Sequence, residues 1–379
     1  MEPSTWRSPA ELRVFVEAAA RAAGATAFGV TAANADPLAY DRLRASFGRG
    51  DLATWDFDEA YALRASDPRT LLRDARSVVC VAIPYARPRP RSRRRPLAGR
   101  VSNYAWSRDY HRVVRDVLDR VRAALDEFAE TPGSTLVCDT APLAERALAA
   151  RAGLGWTGKH TNLIVPSLGS FVFLGELLTT LEIAPDAPLK KTCGSCSRCV
   201  TACPTGALRG DYTLDARRCI SDLTQRTDDI PRELRPLIGD WIWGCDLCQD
   251  VCPPTQLAEG SANAAFDPEG EAAAPDLLEL LSLRSSAFKR RYRGTGMGWR
   301  GAAVLRRNAA VALGNALDRA AVPALERSLA LDPHAGVRGH AAWALGRIGS
   351  PRARAWLAAR APVEHDPGVR IEIAAALER

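Results

Sequence analysis

The chain has 379 residues, of which 47% are hydrophobic and 25% charged, with a formal net charge of +7 at pH 7 and a pI near 9.0. That length accommodates two or three domains with a sizeable core, and the composition is that of an ordinary globular protein, which excludes a disordered or collagen-like chain. No apolar run approaches the roughly 18 residues a membrane helix needs, and the N-terminus MEPSTWRSPAELRVF lacks a basic-then-apolar export signal, so a cytoplasmic protein is expected.

The basic excess points to an acidic partner such as nucleic acid, but Arg far outnumbers Lys, and only Lys159, Lys190, Lys191 and Lys289 are lysines. A GC-rich coding bias explains such a ratio as well as function does. In chain order, Leu12, Val14, Phe15, Ala18 and Ala19 recur at helical spacing behind a Ser/Pro start, which predicts a helix over 8–23. AFGVTAA, SVVCVAI, TLVCDT and SFVFLGEL read as buried strands, and HRVVRDVLDRVRAALDEF (111–128) carries a strong helical period. Interleaved strands and helices make residues 1–180 an α/β or α+β domain. Within it, RPRPRSRRRP (87–96) is kept extended by proline and by charge repulsion. A solvated loop is the plain reading of that run, and an RNA-facing loop the sharper one.

Polar residues gather at two places in this domain. AWSRDYH (105–111) sets Asp109, Tyr110 and His111 at the start of a helix, and residues 137–164 run from Asp139 through a helix to a Gly-rich turn with Trp156, Lys159 and His160. Asp139 at a strand end has two readings. A carboxyl in a partly apolar pocket has its pKa raised and donates protons, while Asp-Thr before Ala-Pro is good N-cap chemistry, which local chemistry alone favours. No G-x-G-x-x-G follows a strand, no P-loop occurs, and the cobalamin motif D-x-H-x-x-G is missing.

After the linker LEIAPDAPLK, eight of the ten cysteines fall between Cys193 and Cys252. Cys193, Cys196, Cys199 and Cys203-Pro204 make C-x2-C-x2-C-x3-C-P, the bacterial ferredoxin run, whose fourth cysteine serves the other cluster of a pair. The second set, Cys245, Cys248 and Cys252-Pro253, has its remaining member displaced to Cys219. Pseudo-symmetry assigns Cys193, Cys196, Cys199 and Cys252 to one [4Fe–4S] cluster and Cys203, Cys219, Cys245 and Cys248 to the other. Zinc also takes C-x2-C pairs, but two interlocked Cys-Pro runs favour iron and sulfur.

A polar stretch, EGSANAAFDPEGEAAAPD, and the basic FKRRYRGTGMGWRG precede a repeat. LRRNAAVALG (305–314), VRGHAAWALG (337–346) and VRIEIAAALE (369–378) align at a spacing of 32, the signature of a short α-solenoid of about three helix pairs similar to HEAT repeats. Arg306, Arg338 and Arg370 share one repeat position, where they line a common face or bridge neighbouring repeats.

The stretches AWSRDYH, DTAPLAERALAARAGLGWTGKHTNLI, GSFVFLGELLTT, CGSCSRCVTACPTGAL, RCISDLTQR and GCDLCQDVCP, followed by the repeats, resemble the epoxyqueuosine reductase family over nearly the whole chain. The resemblance implies an α+β fold with a cobalamin-binding, reductive-dehalogenase-like domain (1–180), a two-[4Fe–4S] ferredoxin-like module (181–262) and HEAT-like helical repeats that dock tRNA (263–379). It implies that cobalamin binds base-off without a protein His ligand, and that the epoxide of epoxyqueuosine at the tRNA wobble position is reduced to queuosine. Asp139 takes the family's proton-donor role, and Asp109, Tyr110, His111 and Lys159 match its cobalamin and substrate pocket. The chain departs from some relatives at Ser102, where they carry Cys, and at Arg226-Thr227, where they carry Lys. Arg290, Arg291, Arg293, Arg306 and Arg338 are the expected tRNA contacts, beside an unidentified low-potential electron donor. Asymmetric tRNA gives no reason for a symmetric assembly, so a monomer is expected. A small-organohalide dehalogenase and an electron-carrying ferredoxin with a scaffold tail are the competing readings. Dehalogenases of that kind usually carry export signals and lack helical repeats, and a carrier leaves Asp109 and Asp139 without work.

Overall fold

In the computed structural model, the described residues are 8–88, 97–127 and 133–378. Most of the Arg/Pro run, 89–96, lies outside them. Helix α1 (Pro9–Ala23) opens on a capping box between Ser8 and Glu11. It is followed by α2 (Pro37–Gly48), α3 (Glu59–Ser66), α4 (Tyr110–Asp126) and α5 (Glu145–Arg151). The strands of this part are β1 (Ala27–Ala32), β2 (Ser77–Pro84), β3 (Arg100–Val101), β4 (Ser134–Val137), β5 (Trp156–Thr157), β6 (Leu163–Ile164) and β7 (Val172–Thr179).

One antiparallel sheet has the order β1–β2–β7–β4, and β5 and β6 pair separately. Successive side chains on a strand face opposite ways. Val79, Val81 and Ile83 of β2 therefore enter a core with Leu12 and Val16 of α1 and Val114 and Leu118 of α4. Val78, Cys80 and Ala82 enter another with Leu148 and Ala149 of α5. Gly175 of β7 permits the close approach of α4, because a Cβ there would stand 2.5 Å from Val114 Cγ1. The sheet is thus sandwiched, and the loop after β4, which carries Asp139, emerges beside the first turn of α4.

The cysteine-rich part contributes only short helices, α6 (Arg198–Ala202), α7 (Ile220–Leu223), α8 (Arg235–Ile238), α9 (Leu247–Asp250) and α10 (Pro253–Gln256), and strand β8 (Trp241–Trp243), which pairs parallel to β3. Helices α11 (Leu277–Leu281) and α12 (Ser285–Tyr292) lead into α13 (Ala302–Ala316), α14 (Val322–Leu331), α15 (Ala335–Ile348), α16 (Pro351–Arg360) and α17 (Pro367–Leu377). These last five form the repeats expected from the 32-residue spacing. The tail is not tethered loosely. A single core runs from Val101 and Trp106 through Trp241 and Trp243 into Leu305, Ala309 and Leu313 of α13. Buried Asn308 donates to the carbonyls of Thr224 and Ile242 (2.7 and 2.8 Å), and Arg307 to those of Leu223 and Arg226 (2.8 and 2.9 Å). Buried polar groups paired this way fix one arrangement of tail and cluster module.

Candidate active site and cluster sites

Asp109 is the N-cap of α4 and accepts from the His111 backbone N–H (3.1 Å). Its Oδ1 also lies 2.6 Å from His111 Nδ1, while His111 Nε2 faces Asp139 Oδ2 at 3.6 Å. The Tyr110 hydroxyl donates to the same Asp139 oxygen (2.8 Å), and the Tyr110 ring is stacked between His111 and Phe173 at 4.2 and 4.1 Å. Asp139 itself has a left-handed backbone, φ +62°, and its N–H donates to Glu145 Oε1 (2.6 Å). The sequence thus brings Asp109, Tyr110, His111 and Asp139 together.

Two expectations about Asp139 change. It caps no helix, because α5 begins at Glu145 behind Ala144, and the Asp139 carboxylate turns to Tyr110 and His111 instead. Its pKa is lowered rather than raised: hydrogen bonding from His111, then from Tyr110, outweighs the opposing effect of burial. His111 is raised in return, chiefly by Asp139 and further by Asp109. The mobile proton of this group therefore rests on His111.

Behind the loop lies a pair that the sequence reading missed. Glu176 of β7 is wholly buried and its carboxyl faces that of Glu145. Burial pushes Glu145 up to about 7 and Glu176 well above the usual carboxylate range. The signal was present in SFVFLGELL, where a glutamate occupies a core position of an apolar strand.

A cavity of about 340 Å³ opens next to this group, lined by Tyr85, Ser102, Tyr104, Arg146 and His160 among others. Tyr104 stands edge-on to Tyr110 at 6.5 Å and so joins cavity and acid group. Ser102 is buried and hydrogen-bonded to Asp246. His160 is buried and held neutral, its pKa lowered by desolvation to about 4. Its Nδ1 accepts from the Asn162 N–H (3.3 Å), which leaves the ring proton on Nε2, a buried donor without an acceptor. Lys159 is not a lining residue. Its Nζ donates to Gly194 O (2.8 Å) and its N–H to Cys193 Sγ (3.4 Å).

The cysteines fall into two neighbourhoods. Cys199 feels Cys193 and Cys252, and Cys252 feels Cys193 and Cys196. Cys245 feels Cys219 and Cys203, and Cys248 feels Cys219, Cys245 and Cys203 besides Cys199. Cys203, Cys219, Cys245 and Cys248 all line the cavity, whereas Cys196 is exposed at the surface. Burial holds Cys219 at about 11, so a metal must displace its proton to bind.

A family model described as "Epoxyqueuosine reductase QueG, DUF1730" matches residues 65–140, "4Fe-4S double cluster binding domain" matches 192–255, and "HEAT repeats" matches 301–378. The chain is 36% identical to the epoxyqueuosine reductase of Bacillus subtilis over 95% of this chain and 93% of that one. It belongs to the epoxyqueuosine reductase family. A crystal structure of an epoxyqueuosine reductase with an epoxyqueuosine-modified tRNA-Tyr stem loop superposes with a TM-score of 0.92 at 34% identity, covering 97% and 98% of the two chains. A Bacillus subtilis structure, TM-score 0.91 at 34% identity over the same shares, has a catalytic loop named for an aspartate swung out of its active site.

In this member of the epoxyqueuosine reductase family the basic residues divide into two kinds. Arg306 is buried and paired with Asp332 (2.6 Å), and Arg338 is paired with Glu364 (2.9 Å), so both bridge repeats and neither presents its charge as a free RNA-facing row. Arg226 is likewise buried against Asp222. Arg290, Arg291 and Arg293 are exposed at the end of α12, with Arg291 3.4 Å from Glu279. The segment that follows them reaches the acid group, where Gly294 O accepts from the Asp109 N–H (2.8 Å).

Proposed function

We propose that this protein reduces the epoxide of epoxyqueuosine at the tRNA wobble position to the cyclopentene of queuosine. Cys193, Cys196, Cys199 and Cys252 would hold one [4Fe–4S] cluster and Cys203, Cys219, Cys245 and Cys248 the other, and the remaining wall of the cavity would face cobalamin, for which the clusters would be the electron source. The observation that carries this reading is that four cysteines line one cavity whose wall residue Tyr104 stands against Tyr110, the partner of Asp139. Two features of the lining suit one face of a corrin. The cavity is largely apolar in its lining, and the orphaned His160 Nε2–H is a donor for an acceptor on the bound group. Cobalamin supplies a strongly reducing cobalt centre when bound.

The overall change takes two electrons and two protons and releases water. An alkoxide is a poor leaving group at neutral pH, so the oxygen must be protonated as the ring opens. Asp139 passes on a proton taken from His111, whose Nε2 faces it while Asp109 holds Nδ1, and the Tyr110 hydroxyl positions the carboxylate. Glu145 fixes the Asp139 backbone.

The tRNA approaches across Arg290, Arg291 and Arg293, which lie next to the Asp109 loop, and the relative bound to a modified stem loop supports such a substrate. We divide the chain at about 180 and 262 into the expected three parts, and expect a cytoplasmic monomer. The test is anaerobic reconstitution with iron, sulfide and cobalamin, then turnover of epoxyqueuosine-containing tRNA. About eight irons per chain are expected, with turnover lowered about 10²–10⁴-fold by Asp139→Asn at unchanged iron and cobalamin content. Full clusters without cobalamin binding would leave only an electron carrier.

A further inference from the structure

The two cysteine sets differ in access. One lines the cavity, while the loop of the other lies at the surface, with Gly194, Ser195, Cys196, Ser197 and Arg198 all exposed. The outer loop is therefore the more accessible entry for an electron bound for the cavity. Around it the chain concentrates a residue type that it otherwise almost avoids. Three of its four lysines are here, Lys190 and Lys191 just ahead of Cys193 and Lys159 anchored on Gly194 O. Lys191 Nζ sits 5.6 Å from the Trp156 ring, and Arg198 follows Cys196 by two residues.

Lys190, Lys191 and Arg198 are exposed, and no carboxylate pairs with any of these four cations among the described residues. Elsewhere basic residues are commonly neutralised, as Arg306, Arg338 and Arg352 are by Asp332, Glu364 and Glu326. Lysine also suits a brief encounter. Its ammonium is a hydrated point charge on a flexible stem, which steers an oppositely charged partner without locking a bidentate contact. Partly exposed Leu189 adds a small apolar spot beside the charges.

We propose that Lys159, Lys190, Lys191 and Arg198, ringing the outer cysteine loop, form the docking surface for a small acidic one-electron carrier protein. The proposal rests on the two-cluster reading above. Each encounter oxidises the carrier by one electron and reduces the outer cluster by one. Two encounters supply the two electrons that, with two protons, convert the epoxide to alkene and water. RNA is also anionic, but the arginines next to the acid group lie on the segment that bonds Asp109, not on this loop.

The test uses the cluster-loaded, cobalamin-bound enzyme and a purified acidic flavodoxin as the probe, with affinity measured by calorimetry at 50 and 300 mM salt. Binding that weakens at higher salt, and at least tenfold in the Lys190→Glu, Lys191→Glu double variant, is expected. Iron content, stem-loop RNA affinity and turnover driven by dithionite should stay within twofold. Flavodoxin affinity equal in wild type and variant, or no binding at 50 mM salt, would overturn the proposal. So would loss of RNA affinity with flavodoxin binding intact, which would make the patch an RNA surface. Wild-type enzyme that holds no clusters, or stays inactive with dithionite, would overturn the two-cluster reading along with it, and this shows before any carrier is added.

Discussion

Asp139 combines a left-handed backbone with a carboxylate shared between Tyr110 and His111. Asp and Asn tolerate that backbone better than other non-glycine residues. Asp139→Asn therefore removes the acid and keeps the turn, whereas Asp139→Ala adds strain, and only the second should speed proteolysis of the loop. The linked pKa values set the pH dependence. His111 is raised, so its stabilising contribution is complete below about pH 6.5 and fades as pH climbs through its higher folded value. Asp139 is lowered, so its contribution is complete above about 3.8 and is lost as pH falls through the lower value. Turnover should fall as pH rises through the raised pKa of His111 and its proton is lost, and His111→Gln should abolish that limb in a pH–rate profile. The buried carboxyls run the other way. Glu145, raised from 4.5 to about 7, holds its proton more tightly folded than unfolded, so stability present below pH 4.5 declines as pH rises through 7. Glu176→Gln removes a carboxyl that folding forces to keep its proton and should stabilise the fold by about 1–3 kcal/mol at pH 8, with little gain at pH 5. Thermal melts at both values check it, and an equal shift at each would show that folding imposes no such proton.

Among the elements, the strands read from AFGVTAA, SVVCVAI, TLVCDT and SFVFLGEL all appear in one sheet, and the helix read over 111–128 spans Tyr110–Asp126. Buried apolar runs and a helical period are local properties, so the residues carry them directly. The repeat was equally legible because small residues recur where helices must touch. Gly346 shows the reason, since a Cβ there would lie 2.5 Å from Ala376 Cβ. Gly346→Ala should destabilise the tail by about 1–3 kcal/mol through overpacking between α15 and α17, seen as a lower melting temperature. What the pattern left open was the repeat arginine, which served either reading until its partners 26 residues on were in place. Hydrogen bonds from Arg338 and Arg360 hold Glu364 at about 2 although burial opposes them. Arg306→Met leaves Asp332 buried without its guanidinium and should cost about 3 kcal/mol, with stem-loop RNA affinity unchanged in a filter-binding assay. A matching loss of RNA affinity at intact stability would return Arg306 to the interface.

At the scale of the whole molecule, the cluster module and the tail share a core, and the basic end of α12 is brought against the Asp109 loop. That placement argues for one continuous path for tRNA from exposed cations to the acid group. Reversing charge in Arg290→Glu, Arg291→Glu should weaken stem-loop binding and reduce its salt dependence by about one to two counterions. Unchanged affinity across a salt titration would remove this segment from the interface.

The sequence by itself determined the elements, the two cysteine runs, the repeat, and a short set of polar residues around Asp139. Those follow from spacing along the chain, where periodicity and ligand geometry act over a few residues. Only the tertiary structure decided what each charge does. It turned Asp139 from a cap into the partner of His111, set Lys159 on the outer cysteine loop, and buried Arg306 against Asp332. It also showed that Glu145 and Glu176, 31 positions apart in the sequence, meet behind one loop. Electrostatic environment depends on which groups fold into contact and how much water they lose, and neither is written in the local pattern.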